Sequence, residues 1–174
     1  MANIKTLYPS TDTTALTITL ASLANDSTNK LAGQQSDIID NTTNVDLDHL
    51  LTGNIRAGTT PTAGNTIEVW AYAATKVVSG TSTYPDTLTG AGTAAKTLTS
   101  SNVKNAALRL VATITVDATT GRDYPIAPVS IAQLFGGSLP PKWGVFVINA
   151  SAVALDSTAG NHWMHYYRIQ AQTV

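Results

Sequence analysis

Apolar side chains recur at every second position through much of this chain, and that period decides what it can fold into. In "NAALRLVATITVDA", Asn105–Ala118, Leu108, Leu110, Ala112, Ile114 and Val116 share one side, opposite Ala107, Arg109, Val111, Thr113 and Thr115. Successive side chains alternate across a β-strand, so the spacing predicts a strand whose leucine-bearing side meets a core. "ALTITLA" at Ala15–Ala21 repeats the pattern with threonine on the polar side. In Val45–Ala57, His49 and Leu51 oppose Asp48 and Leu50, and Gly53 predicts a bend or bulge. From Thr66, Ile67, Val69 and Ala71 oppose Glu68, Trp70 and Tyr72.

Helices draw on Glu, Lys and Leu for exposed positions. Here Ser and Thr together number 40 while glutamate occurs once, at Glu68. "SIAQLFGG" alone reads as a short helix, with Ser130 as its N-cap and Gly136 closing it. No strand–helix–strand alternation is present. These features predict an all-β protein, a jelly-roll-like antiparallel β-sandwich with at most one short helix. Residues 13–174 form one such domain, preceded by an N-terminal arm over residues 1–12 that could order on a neighbour.

Charge narrows the partners. Charged residues make up 12% of the chain and the formal net charge is −1, so no basic face is available for phosphates and nucleic acid is not expected. No run of about 18 apolar residues predicts a membrane span, and no apolar stretch behind a basic head predicts a secretory signal. Cysteine is absent, which removes disulfides, thiolate metal sites and cysteine nucleophiles.

Motifs for chemistry are weak. "GAGTAAKT" at Gly90–Thr97 carries Lys and Thr but has Ala95 where a phosphate loop needs its second glycine. No G-x-S-x-G elbow occurs. His162 and His165 fall on opposite sides of a strand, which argues against a shared metal. Asp37, Asp40, Asp46 and Asp48 lack the regular ligand spacing of a calcium loop; Asp40 reads as a turn cap, and Asp46 and Asp48 as surface residues. No enzyme activity, cofactor or metal is expected.

The end of the chain is the most aromatic part. In "KWGVFVINAS", Trp143, Val145 and Val147 oppose Phe146 and Ile148; in "NHWMHYYRIQAQ", Trp163, His165, Tyr167 and Ile169 oppose His162, Met164, Tyr166 and Arg168. Both strands are apolar or aromatic on both sides. One side meets the core, and the other predicts a partner. The expected subunit or capsid interface is Trp143, Phe146, Trp163, Tyr166 and Tyr167, with Ile4, Leu7 and Tyr8 from the arm.

"NTTNVDLDHLLTGNIRAGTTPTAGNTIEVWAYA", "NVKNAALRLVATITVDATTGRDYPI" and the closing "PPKWGVFVINAS" and "GNHWMHYYRIQ" resemble small structural proteins of tailed bacteriophages. The likeness spans most of the chain and is similar to that of jelly-roll capsid decoration, or cement, proteins. It implies a non-enzymatic virion protein made in the bacterial cytoplasm and bound to the capsid exterior. Its partner would be the major capsid protein. The second apolar side of Trp143–Ile148 and Trp163–Ile169 also predicts self-association, as a homo-oligomer, a dimer or trimer. The alternative is a carbohydrate-binding module of a tail fibre or baseplate, stacking sugar on Trp70 and Tyr72, or on Trp163 and Tyr167.

Overall fold

The computed structural model describes residues 4–8, 13–78 and 81–173. Eleven strands form two antiparallel sheets. The first sheet holds β1 (Ile4–Leu7), β2 (Thr14–Ala15), β5 (Asp48–Arg56), β9 (Asp123–Ser130) and β11 (Trp163–Thr173), in the order β1-β11-β5-β9 with β2 also on β11. The second holds β3 (Ala32–Gln35), β4 (Ile39–Asp40), β6 (Thr66–Ala73), β7 (Ala95–Thr97), β8 (Arg109–Thr115) and β10 (Lys142–Ala150), in the order β7-β3-β10-β6-β8 with β4 also on β10.

β1 with β2, and β3 with β4, each occupy one strand position. Setting β7 aside as part of a crossover, the eight positions run 1-8-3-6 in one sheet and 2-7-4-5 in the other. That is the double Greek key of a jelly roll. The sandwich expectation therefore holds.

The core between the sheets follows the period-2 pattern. Ile67, Val69 and Ala71 of β6 and Trp143, Val145 and Val147 of β10 face Leu51 and Ile55 of β5, Ile126 of β9 and Met164 of β11. Gly53 marks a register shift between β5 and β9, as its place in the sequence predicts. A Cβ there would lie 2.8 Å from the carbonyl oxygen of Trp163, so the close approach of β11 requires glycine.

A second core lies on the outer side of the second sheet. Between β6 and β8 the chain crosses to the far edge of the sheet, where β7 pairs with β3, forms a helix α1 (Ser101–Ala107), and folds back as a flap. Leu88, Leu98 and Leu108 of the flap cover Trp70, Tyr72, Phe146 and Ile148. This corrects two expectations. The described residues hold two α-helices: besides α2 (Ile131–Leu134), α1 is capped by Ser100, whose hydroxyl accepts from the Val103 amide at 3.2 Å. The two-sided apolar character of β10 does not require a partner, because the chain covers it itself.

The predicted arm is partly strand. Ile4–Leu7 pairs with Gln170–Thr173 as the sheet's edge. Residues 1–3 and 9–12 of the arm lie outside the described residues.

Candidate functional site

Two closed clusters gather buried titratable groups. In the first, Trp143 lies fully buried on β10 and its indole N–H donates to Nδ1 of His49 at 3.0 Å. An indole nitrogen only donates, so His49 Nδ1 must accept and its proton sits on Nε2. Nε2 then donates to Asp46 Oδ2 at 2.9 Å. Asp46 also takes a two-pronged bond from Arg168, with Nε at 2.8 Å and Nη2 at 3.0 Å, and a bond from the Gln170 amide. Burial acts to raise the Asp46 carboxyl, but Arg168, His49 and Gln170 outweigh it and hold it down at about 2. Burial pushes the His49 imidazole below its ordinary value against the pull of Asp46. The ring is neutral and stacks on Tyr166 at 4.5 Å between centroids.

Asp46 is thus interior, not a surface residue as its sequence position suggests. A turn at Val45, with φ 51°, redirects the chain and brings its carboxyl beneath Arg168. The His49 ring shares its nitrogens with Asp46 and Trp143, with no hydroxyl or thiol on either, so the cluster organises the core rather than activating a nucleophile. Asp48 accepts from the Ser130 hydroxyl and the Ala132 amide and so anchors the start of α2. Asp40 accepts from Thr42, the turn cap the sequence predicts. His162 is held between the Arg56 amide and the Asp156 carbonyl, so it is a satisfied structural histidine.

In the second cluster, Glu68 gathers the flap. Its Oε2 accepts from Lys104 Nζ at 3.1 Å and from the Trp70 indole at 3.0 Å, and Oε1 lies 3.6 Å from Lys30 Nζ. Lys104 also donates to the Lys30 carbonyl and sits over the Trp70 ring, 5.0 Å from its centroid.

These placements sort the expected site residues. Trp143 and Phe146 are fully buried, Trp143 between the sheets and Phe146 under the flap, so neither offers surface to a partner. Trp70 and Tyr72 lie under the flap as well, which removes them as a sugar-stacking pair. Tyr166 turns inward against His49 and Trp143. Trp163 and Tyr167 do reach the surface, with Trp163 43% exposed. Ile4 and Tyr8 are exposed and Leu7 is half-buried.

Two open features stand out among the described residues. One is a depression on the outer face of the first sheet, walled by Thr13, Thr52, Trp163, His165 and Tyr167. The other is an apolar end. Ile4 and Val45 are each 75% exposed, and Tyr8 and Leu47 are exposed too. Ile4–Leu7 lies along one side of Gln170–Thr173, while on the other side of β11 the Leu47 amide bonds the Ile169 carbonyl. Val45 and Leu47, and the depression's Thr13 and Thr52, were missed as site residues. Alternation places Thr52 on the outward side of β5, but only the register Thr52 to His165 brings it to the depression.

Among the described residues no three His, Asp or Glu side chains converge as metal ligands, and no helix is long and apolar enough to cross a membrane. Comparison with protein-family models, curated proteins and solved structures finds no match.

Proposed function

We propose that this jelly roll is a non-enzymatic structural protein of a tailed-phage virion that docks on the exterior of the capsid lattice as a decoration protein. The observation that supports this most is the apolar end, where Ile4, Tyr8, Val45 and Leu47 expose large side chains around the last residues of β11. Both buried titratable clusters are committed to holding the fold, and exposed apolar clusters of this kind mark contact surfaces. The resemblance noted above supplies the partner, the major capsid protein. Self-association as a dimer or trimer is part of the proposal. It no longer draws on β10, whose outer side the flap covers, and rests on the same end of the sandwich.

Immunogold labelling of virions with an antibody to this chain tests the reading. Label over the head surface is expected. Unlabelled particles, or label confined to the tail, would overturn it.

A further inference from the structure

Among the described residues, the outer face of the first sheet is open at Trp163, which is 43% exposed. Trp163, His165 and Tyr167 occupy alternate positions of β11, so they rise from the same side at intervals of about 7 Å. Asn54, Thr52 and Leu50 stand opposite them on β5. The Trp163 ring is braced edge-on against His165, with centroids 5.3 Å apart and planes at 70°. Of the two histidine nitrogens, Nδ1 is engaged by the Thr13 hydroxyl. Nε2 has no protein partner among the described residues. Whichever way the Thr13 bond runs, Nε2 is left as the complementary donor or acceptor. Thr52 donates its hydroxyl proton to the Ile126 carbonyl at 2.8 Å and keeps its lone pairs free to accept.

None of the five lining residues is an acid, a lysine or an arginine. The nearest charges along β5 are occupied elsewhere: Asp48 by Ser130 and Ala132, Arg56 by the Gly121 carbonyl. An anion finds no lysine or arginine here and a cation no carboxylate. What the depression offers is flat aromatic surface bordered by neutral hydrogen-bonding groups on rigid strands. Its complement is a neutral ring with an apolar C–H face and a hydroxyl rim.

We propose that this depression binds a neutral glycan. A pyranose stacks on Trp163, the chain runs toward Tyr167, and His165 Nε2 and Thr52 Oγ1 bond its hydroxyls. The proposal does not rest on capsid docking, which uses the end formed by Ile4, Tyr8, Val45 and Leu47, so each can fail without the other.

The three tryptophans give a direct readout. Trp143 is fully buried and Trp70 nearly so, whereas Trp163 is exposed, so acrylamide quenching of fluorescence reports mainly on Trp163. The purified chain is applied to a printed array of neutral di- to hexasaccharides, and the brightest ligand is titrated against intrinsic fluorescence. Binding should protect Trp163 from quenching. Trp163→Ala and Tyr167→Ala should each weaken binding at least tenfold, and Thr52→Val several-fold, with melting temperatures close to wild type. An array dark for the wild-type chain would overturn the proposal, as would unchanged binding by Trp163→Ala. Sedimentation as a dimer with Trp163 already protected in the absence of sugar would also overturn it, and would give the face to a second copy of the chain.

Discussion

Trp143 and His49 meet donor to acceptor in the closed interior, indole N–H to imidazole Nδ1 at 3.0 Å. The contact tolerates only a neutral imidazole, because a proton on Nδ1 would set two N–H groups against each other. It joins the two sheets through polar atoms, β10 on one side and β5 on the other.

That contact predicts acid sensitivity in two stages. His49 has a folded-state pKa below its ordinary value near 6.5. Its stabilising effect is complete above about pH 6.5, where both folded and unfolded chains hold it neutral. It declines as the pH falls toward the folded pKa, because only the unfolded chain takes up the proton. Asp46, held at about 2 against an ordinary 3.8, contributes above pH 3.8 and is lost between there and pH 2, at a cost of about 2 kcal/mol. Asp40 adds to this lower stage. Urea midpoints followed from pH 8 to pH 2 should fall in two steps. His49→Gln, which can still accept from Trp143 and donate to Asp46 but does not titrate, should abolish the upper step. An upper step that persists in this variant would assign it to another group.

The flap should be fastened by charge as well as by leucines. Glu68 and Lys104 are both largely enclosed, at 13% and 8% side-chain exposure. Glu68→Ala strands the Lys104 ammonium and the Trp70 N–H, and should cost about 3 kcal/mol in urea unfolding. Replacing both partners, Glu68→Leu with Lys104→Met, removes the stranded charge and should recover at least half of that loss. Equal losses in the single and double variants would mean that the pair contributes only packing.

Gly33 on β3 is predicted to be intolerant. A Cβ there would lie 2.2 Å from the Val147 carbonyl oxygen and 2.9 Å from the Phe146 ring. The obstacle on one side is backbone, which cannot rotate away, so β3 must shift off β10. Gly33→Ala should lower stability by about 2–3 kcal/mol in thermal or urea unfolding, in the range of overpacked cores. A change under about 0.5 kcal/mol would mean that the sheet edge gives way freely.

Much of the fold was legible because sidedness in a strand is a local property. Ile67, Val69 and Ala71, and Trp143, Val145 and Val147, face the inter-sheet core as their alternation predicts, and Ser130 caps α2. The failures are long-range. Leu110 was assigned to the core but is 44% exposed, because a register shift opposite Val69 and Trp70 inserts Val111 and breaks the count of two. The outer side of β6 and β10 looked like an interface because nothing local reveals that residues more than ten positions away in the sequence, Leu88, Leu98 and Leu108, cover it. Helix α1 was overlooked because Asn105–Ala107 continues the strand's alternation, although Ser100 carries the capping signal. Of the candidate site, Trp163 and Tyr167 were visible in the sequence. Thr13 and Thr52 depend on strand register, and Val45 on a turn that only Asn41 and Asp46 together enforce.

Val45 leads to the last prediction. A β-branched residue at φ 51° is disfavoured, since its side chain crowds the backbone in the left-handed region. The chain holds it there because Asn41 bonds the amide and the carbonyl of Asp46 with its side chain, at 2.8 and 3.1 Å, and the Val45 amide bonds the Asn41 carbonyl. The valine itself is 75% exposed, so burial offers little compensation for the strain. Asparagine accepts the left-handed conformation more readily. Val45→Asn should therefore stabilise the protein by about 1 kcal/mol in urea unfolding. If the apolar end docks on the capsid, the same change should weaken cosedimentation with capsid shells stripped of this protein, and Leu47→Asn should weaken it without the gain in stability. Loss of stability in Val45→Asn would show that the valine packs against its surroundings. Undiminished cosedimentation of both variants would move the docking surface away from this end.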